Sequence, residues 1–174
     1  MSDPFFQFAQ RLTLCMLKYQ YIEYALKSCL LRFHAAVRFR LDGYLPYEVP
    51  LDAIENAAMG QLVKWFKSYS ANQPLLTALN KVKSERDHVA HQGFMFTLEK
   101  EANDTVILER LKELEASHQR AEDCLAMLFS EVEKAEDVVQ KAYADLRARS
   151  ESEGGVPPEA LHLPPTRRPP EGEP

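Results

Sequence analysis

Six consecutive residues, Arg86-Asp87-His88-Val89-Ala90-His91, carry a guanidinium, a carboxylate and two imidazoles. Acid–base chemistry on a phosphodiester requires these groups. An imidazole, which ordinarily titrates near pH ~6.5, can take the proton of an attacking hydroxyl or give one to a leaving oxygen. A guanidinium can hold charge developing on phosphorus through two parallel hydrogen bonds, which a lysine cannot do. Asp87 and His91 stand one helical turn apart, so the carboxylate can accept from the imidazole, fix its tautomer and favour its charged form. Ser84 and His88 share the same spacing, and His88 offers a second proton relay or a phosphate contact. This chemistry calls for no metal and no cofactor.

The arginine occupies an unusual position. Leu75, Leu79 and Val82 recur at helical spacing, and the same stripe continues through position 86 to Val89 and Gly93. Arg86 therefore stands where a leucine is expected. Lining a core with an unpaired guanidinium costs several kcal/mol, so it must be paired, face a cleft, or both. Arg86 and His91, five residues apart, project about 140° from each other on an ideal helix. Aiming both at one phosphate takes a helix loosened near Gly93, a curled arginine side chain or a second subunit.

The elements that carry these residues are helical. Ser2-Asp3-Pro4 places a cap before a proline suited to a first turn, and no breaker follows until Asp42-Gly43, so the first helix runs to about Leu41. Its apolar side is Phe8, Leu12, Cys15, Tyr19, Ile22, Leu26, Cys29, Leu30, Phe33 and Val37. After a turn region with Pro46 and Pro50, a second helix covers about 51–69, with Ile54, Ala58, Leu62, Trp65 and Phe66 inward. Asn72-Gln73-Pro74 opens the third, which passes His91 and ends or kinks at Gly93. In the fourth, Ile107, Leu111, Leu114, His118, Ala121, Leu125, Leu128, Val132, Ala135, Val139, Ala142 and Leu146 alternate four and three apart, a sustained coiled-coil-like heptad seam. His118 reads as a polar, register-setting member of it. Nothing reads as a strand, so the fold class is all-α: an up-and-down bundle of four main helices with a long C-terminal heptad helix. The unequal helix lengths favour a homodimer.

These residues bring a family into view. An Arg, a polar residue, three more residues and then His, on the third helix of a small bundle, resembles the HEPN superfamily of prokaryotic ribonucleases, whose signature separates Arg from His by four to six residues. Arg86 and His91 have four between them, Asp87 fills the polar position after the Arg, and Arg-Asp-His-Val-Ala-His is similar to the Arg-Asn-x-x-Ala-His form common there. Two residues beyond the His, this chain has Gly93 where many toxin members carry a tyrosine. The resemblance implies metal-independent RNA cleavage by a dimer that brings two motifs to one cleft, leaving a 2′,3′-cyclic phosphate and a 5′-hydroxyl. It also implies a toxin or phage-defence role with a cognate antitoxin or regulatory partner. The catalytic candidates are Arg86, His91, Asp87 and His88.

Composition bounds the rest. The net charge of −5 is uneven: residues 1–100 carry 12 Lys and Arg against 9 Asp and Glu, while 101–174 carry 9 against 17, so the half holding the cluster is mildly basic. Its cations group as Arg32, Arg38 and Arg40, as Lys64 and Lys67, and as Lys81 and Lys83, a modest footprint suited to a short nucleic-acid contact. Lys81, Lys83, Arg38 and Arg40 are the candidate RNA-binding residues. Cys15, Cys29 and Cys124 lack metal-type spacing and read as reduced, buried thiols of a cytoplasmic protein. The most apolar stretch, 12–37, is interrupted by Lys18, Glu23, Lys27 and Arg32, which argues against a membrane span. Residues 1–149 form the bundle, and 150–174, with seven of eleven prolines, read as a disordered tail.

Other readings compete. In the plainest, Arg86 pairs with an acid such as Glu23 or Glu55, His88 and His91 are surface residues near a helix end, and the chain is a non-catalytic interaction or scaffold module or an antitoxin-like partner. In another, Glu85-x-x-His88 and Glu115-x-x-His118 have the ligand spacing of carboxylate-bridged metal bundles and lie equally far from a turn near Asn103. No Gly-rich phosphate loop, Ser/His/Asp arrangement or Cys-based metal site is present in the sequence.

Overall fold

The computed structural model describes the chain from Asp3 to Leu98 and from Asp104 to Gly154, with backbone alone for 92–98. The turn near Asn103 and the tail beyond Gly154 lie outside the described residues. Five helices follow one another: α1 (Pro4–Leu41), α2 (Leu51–Glu55), α3 (Met59–Phe66), α4 (Gln73–Leu98) and α5 (Asp104–Ser152), with no strand among the described residues. The class is all-α.

Local chemistry sets most of the boundaries. The Asp3 carboxylate accepts from the Phe5 N–H at 2.9 Å and its carbonyl from the Gln7 N–H at 3.1 Å, so Asp3 caps α1 with Pro4 in the first helical position. Gly43 ends α1 with φ +79°, a left-handed conformation that costs glycine little, while the Leu45 N–H returns to the Leu41 carbonyl at 3.0 Å. Asn72 caps α4 through its side-chain oxygen, which accepts from the Leu75 N–H at 3.2 Å. Contrary to expectation, α4 continues through Gly93 to Leu98. Position 93 costs some helix propensity, but propensity alone does not end a helix. Similarly, α5 runs past 150, taking the first residues assigned to the tail into its last turn.

The single helix expected over 51–69 is two. Between them Asn56 sits at φ −92°, ψ 0° and Ala58 is extended, with ψ 155°. The Asn56 side-chain amide and backbone N–H both donate to the Asp52 carbonyl, at 2.9 and 3.1 Å, and the Ala57 N–H then closes a tighter turn on the Ile54 carbonyl at 3.3 Å. The break resets the buried face. Met59 is buried and Ala58 exposed, while Ile54, Leu62 and Phe66 stay inward and Trp65 is only half-buried.

The chain falls into two compact units. The first joins the part up to Tyr24 with Ala71–Met127. Its core takes Phe8, Cys15, Tyr19 and Ile22 from α1, Leu75, Leu79, Val82 and Val89 from α4, and Ile107, Leu114, Ala121 and Leu125 from α5. Each fully buried leucine or isoleucine here is worth about 1.5–3 kcal/mol. Arg11 meets Glu115 at 3.8 Å and Lys18 meets Glu122 at 2.8 Å, so in this unit α1 and α5 run in the same direction. The Cys15 thiol donates to the Leu114 carbonyl at 3.3 Å.

The second unit joins Ala25–Ser70 with the chain from Leu128 onward. Small side chains let its helices approach: Ala35, Ala36 and Phe39 of α1 pack on Val139, Ala142 and Leu146 of α5, with the Tyr143 ring 5.3 Å from that of Phe39. Here too α1 and α5 are parallel, from Arg32 against Glu136 at 2.6 Å to Arg149, which donates to the Phe39 carbonyl at 3.3 Å. Arg32, grouped from the sequence with Arg38 and Arg40 in a cationic footprint, is instead buried at 2% exposure and also donates to the Ser28 hydroxyl and carbonyl at 2.6 and 3.2 Å.

In the same unit, His34 bonds through one ring nitrogen to the Tyr47 hydroxyl and through the other, at 3.2 Å, to that of Tyr69. Burial holds its pKa below the ordinary 6.5, so folding favours the neutral ring. The stability this contributes is complete above pH 6.5 and is lost as pH falls through the lower folded value. Between pH 7.5 and 5.5 the melting temperature of wild type is expected to drop more than that of His34→Gln, and equal slopes would remove His34 as the cause.

Candidate functional site

All the described residues of the cluster lie in the first unit, on the middle of α4. Leu75, Leu79, Val82 and Val89 form its buried stripe, while Lys81, Lys83, Ser84, Asp87, His88 and His91 are exposed. Arg86 lies at the edge of the stripe, and its Nη2 reaches Glu23 Oε2 of α1 at 3.6 Å. The arginine is paired, as its inward position required, and Glu23, one of the two acids named from the sequence, is the partner. The other, Glu55, instead gives its backbone carbonyl to Lys27 at 2.8 Å. Burial of Arg86 is incomplete: its side chain keeps 36% of its surface exposed and that of Glu23 keeps 23%. The guanidinium therefore remains open to solvent.

The residue before it points the other way. Glu85 Oε1 lies 2.7 Å from Arg120 Nε of α5, and Arg120 Nη2 donates to the Ser117 hydroxyl at 3.1 Å. Two neighbouring residues of α4 thus bind two different helices with opposite polarity. The Glu85–Arg120 pair is close but poorly aligned, since Arg120 Nε, Glu85 Oε2 and the hydroxyl of Tyr19 have no hydrogen-bond partner and are buried. Burial above all, with the Glu85 carboxylate adding to it, pushes the Tyr19 hydroxyl far above its ordinary range, so it stays protonated. The sequence reading missed this cluster because Glu85, Arg120 and Tyr19 come from three helices and no spacing in the chain links them.

Within one chain Arg86 and His91 occupy different faces of α4, one against α1 and the other toward solvent, as about 100° per residue requires over five positions. Asp87 and His91 are both exposed and no hydrogen bond joins them, which corrects the expectation that the carboxylate orients the imidazole. Holding two exposed side chains in one rotamer pair costs entropy that a single surface contact does not return.

The remaining candidates are dispersed. Lys81 and Lys83 are exposed on α4 before the cluster. Arg38 and Arg40 are exposed in the second unit, where Arg38 lines a surface cavity of about 470 Å³ with Asp42, Leu45, Pro46, Tyr47 and Glu48. The three cysteines are free and buried. Burial pushes the thiols of Cys15 up to about 11 and of Cys29 and Cys124 up to about 12, so none presents a thiolate. Of the two Glu-x-x-His pairs, Glu85 turns to Arg120 while His88 is exposed, and Glu115 turns to Arg11 while His118 sits half-buried 4.0 Å from Glu122. No group of three or more metal-type ligands gathers among the described residues. No described helix is long and apolar enough to cross a membrane.

Compared with known proteins, the chain matches no family model, no curated protein and no solved structure. The functional reading therefore rests on the side chains themselves and on the motif they form.

Proposed function

We propose that this protein is a metal-independent endoribonuclease of HEPN type that acts as a homodimer through Arg86 and His91. The observation that carries the reading is the partial exposure of Arg86: it sits on the inward stripe yet keeps 36% of its side chain open, on the helix that exposes His88 and His91. Because about 140° separates the two groups around one helix, a second copy of the chain supplies the geometry that one copy lacks. One His91 then takes the proton of a ribose 2′-hydroxyl as O2′ bonds to phosphorus. The other protonates the departing 5′-oxygen, and the ends left are a 2′,3′-cyclic phosphate and a 5′-hydroxyl. Arg86 holds the charge that accumulates on the phosphoryl oxygens. His88, Lys81 and Lys83, exposed on the same helix, contact flanking phosphates, and Arg38 and Arg40 offer the second unit's own phosphate contacts. Asp87 tunes the local field. Growth arrest as a toxin or phage-defence effector in the cytoplasm, under an antitoxin or regulatory protein, is the role this activity fits.

The Arg86–Glu23 pair favours a second reading, a non-catalytic helical interaction module in which Arg86 simply braces α4 against α1. Incubating purified protein with 5′-labelled RNA in EDTA separates the two. The nuclease yields cyclic-phosphate ends that vanish in Arg86→Ala and His91→Ala while light scattering still reports the dimer. The interaction module yields no such ends in any form.

A further inference from the structure

We infer that Glu23 is an electrostatic latch on Arg86, occupying the guanidinium until an RNA phosphate displaces it. The inference rests on the ribonuclease reading for its ligand and adds a regulatory residue to the same site.

The two ion pairs of α4 differ in a way that suits an anchor and a latch. Glu85 and Arg120 approach to 2.7 Å, with side chains 18% and 37% exposed, so separation and not exposure sets this pair apart. Arg86 and Glu23, at the similar exposures of 36% and 23%, meet only at 3.6 Å, beyond the span of about 2.7–2.9 Å typical of a charge-assisted hydrogen bond. A partly exposed pair held at this distance stabilises a protein little, whereas a phosphodiester offers the guanidinium two acceptor oxygens in the fork geometry it prefers. Substrate can therefore take Arg86 from Glu23 while Glu85 keeps α4 fixed against α5. The swap leaves the Glu23 carboxylate beside an incoming anion, so the wild-type chain binds RNA more weakly than one with a neutral residue at position 23.

A binding cycle tests this. The probe is a fluorescein-labelled 2′-O-methyl RNA decamer, which lacks the attacking hydroxyl and cannot be cleaved, read by anisotropy in EDTA at low salt. Glu23→Gln is expected to tighten binding about fivefold, an effect that shrinks as salt screens the carboxylate. In an Arg86→Gln background the same change is expected to give no gain. An equal gain in both backgrounds would mean a general effect of net charge and overturn the latch. So would an unchanged affinity, an absence of binding by both wild type and Glu23→Gln, or weaker binding with a lower melting temperature, the mark of a brace. Cleavage assays on the same proteins keep the two ideas apart. If wild type cleaves RNA and the cycle shows no coupling, only the latch fails. If the coupling is present and no variant cleaves, the latch stands as a gate on phosphate binding and the ribonuclease reading fails.

Discussion

Replacing His91 with alanine is expected to lower RNA cleavage by about 10²- to 10⁴-fold, the range that a positioned general acid or base contributes. Stability should stay unchanged, because His91 is exposed and has no bonded partner among the described residues, and surface substitutions away from structural features shift stability by less than ~0.5 kcal/mol. This separation gives the experiment its force, since lost activity cannot then be attributed to lost fold. Arg86→Lys is the companion variant. It keeps a positive charge near Glu23 but loses the planar pair of donors, and removing such a transition-state contact costs about 10²- to 10³-fold in rate. A His91→Ala protein that cleaves as fast as wild type would end the nuclease proposal.

The largest effect on stability is expected in the second unit, at Glu136→Ala. Arg32 is 2% exposed and Glu136 keeps 33% of its side chain in contact with water, so truncating the acid removes the carboxylate that the buried guanidinium meets at 2.6 Å. Breaking a buried pair in this way costs about 3–5 kcal/mol, and the exposure of Glu136 places the value near the lower end. Replacing both partners with apolar residues of similar volume, as in Arg32→Met with Glu136→Leu, is expected to recover most of that loss, because the buried guanidinium is removed together with its carboxylate. Urea midpoints of the three proteins at pH 7 check both statements, and a Glu136→Ala protein as stable as wild type would refute them.

The same pair makes stability fall in acid. Burial raises the Glu136 pKa, but hydrogen bonds from Gln140 and Arg32 and the charge of Arg32 outweigh it, so the net value lies below the ordinary 4.5. The sign follows directly: the contribution is complete above pH 4.5 and is lost as pH falls through the lower folded value. In the first unit Glu122 is likewise held down, chiefly by its hydrogen bond with Lys18, and acts with the same sign.

Much of this architecture is written locally in the chain. The cap at Asp3-Pro4, the left-handed glycine at position 43 and the Asn72 cap rest on bonds to residues two to four positions away, so the sequence alone sets where α1 begins and ends and where α4 starts. The heptad seam of α5 is also local. Of its twelve seam residues only Leu111 and His118 escape full burial. Periodicity alone misled at 51–69: the apolar spacing fits one helix, but the chain closes a tighter turn from Ala57 to Ile54 and Ala58 is extended.

The identity of the groups facing each stripe was decided only by tertiary structure. Periodicity says that Arg86 turns inward and that a charge must meet it, and it narrows the partner to a few acids, but α1 packing against α4 selected Glu23. Glu136 meets Arg32 across 104 positions of sequence, and Arg120 meets Glu85 from another helix, distances over which no spacing rule operates. A helical repeat fixes the direction of a side chain about its own axis. The energy of a buried charge depends on what stands across from it, and that is set when helices far apart in the chain come together.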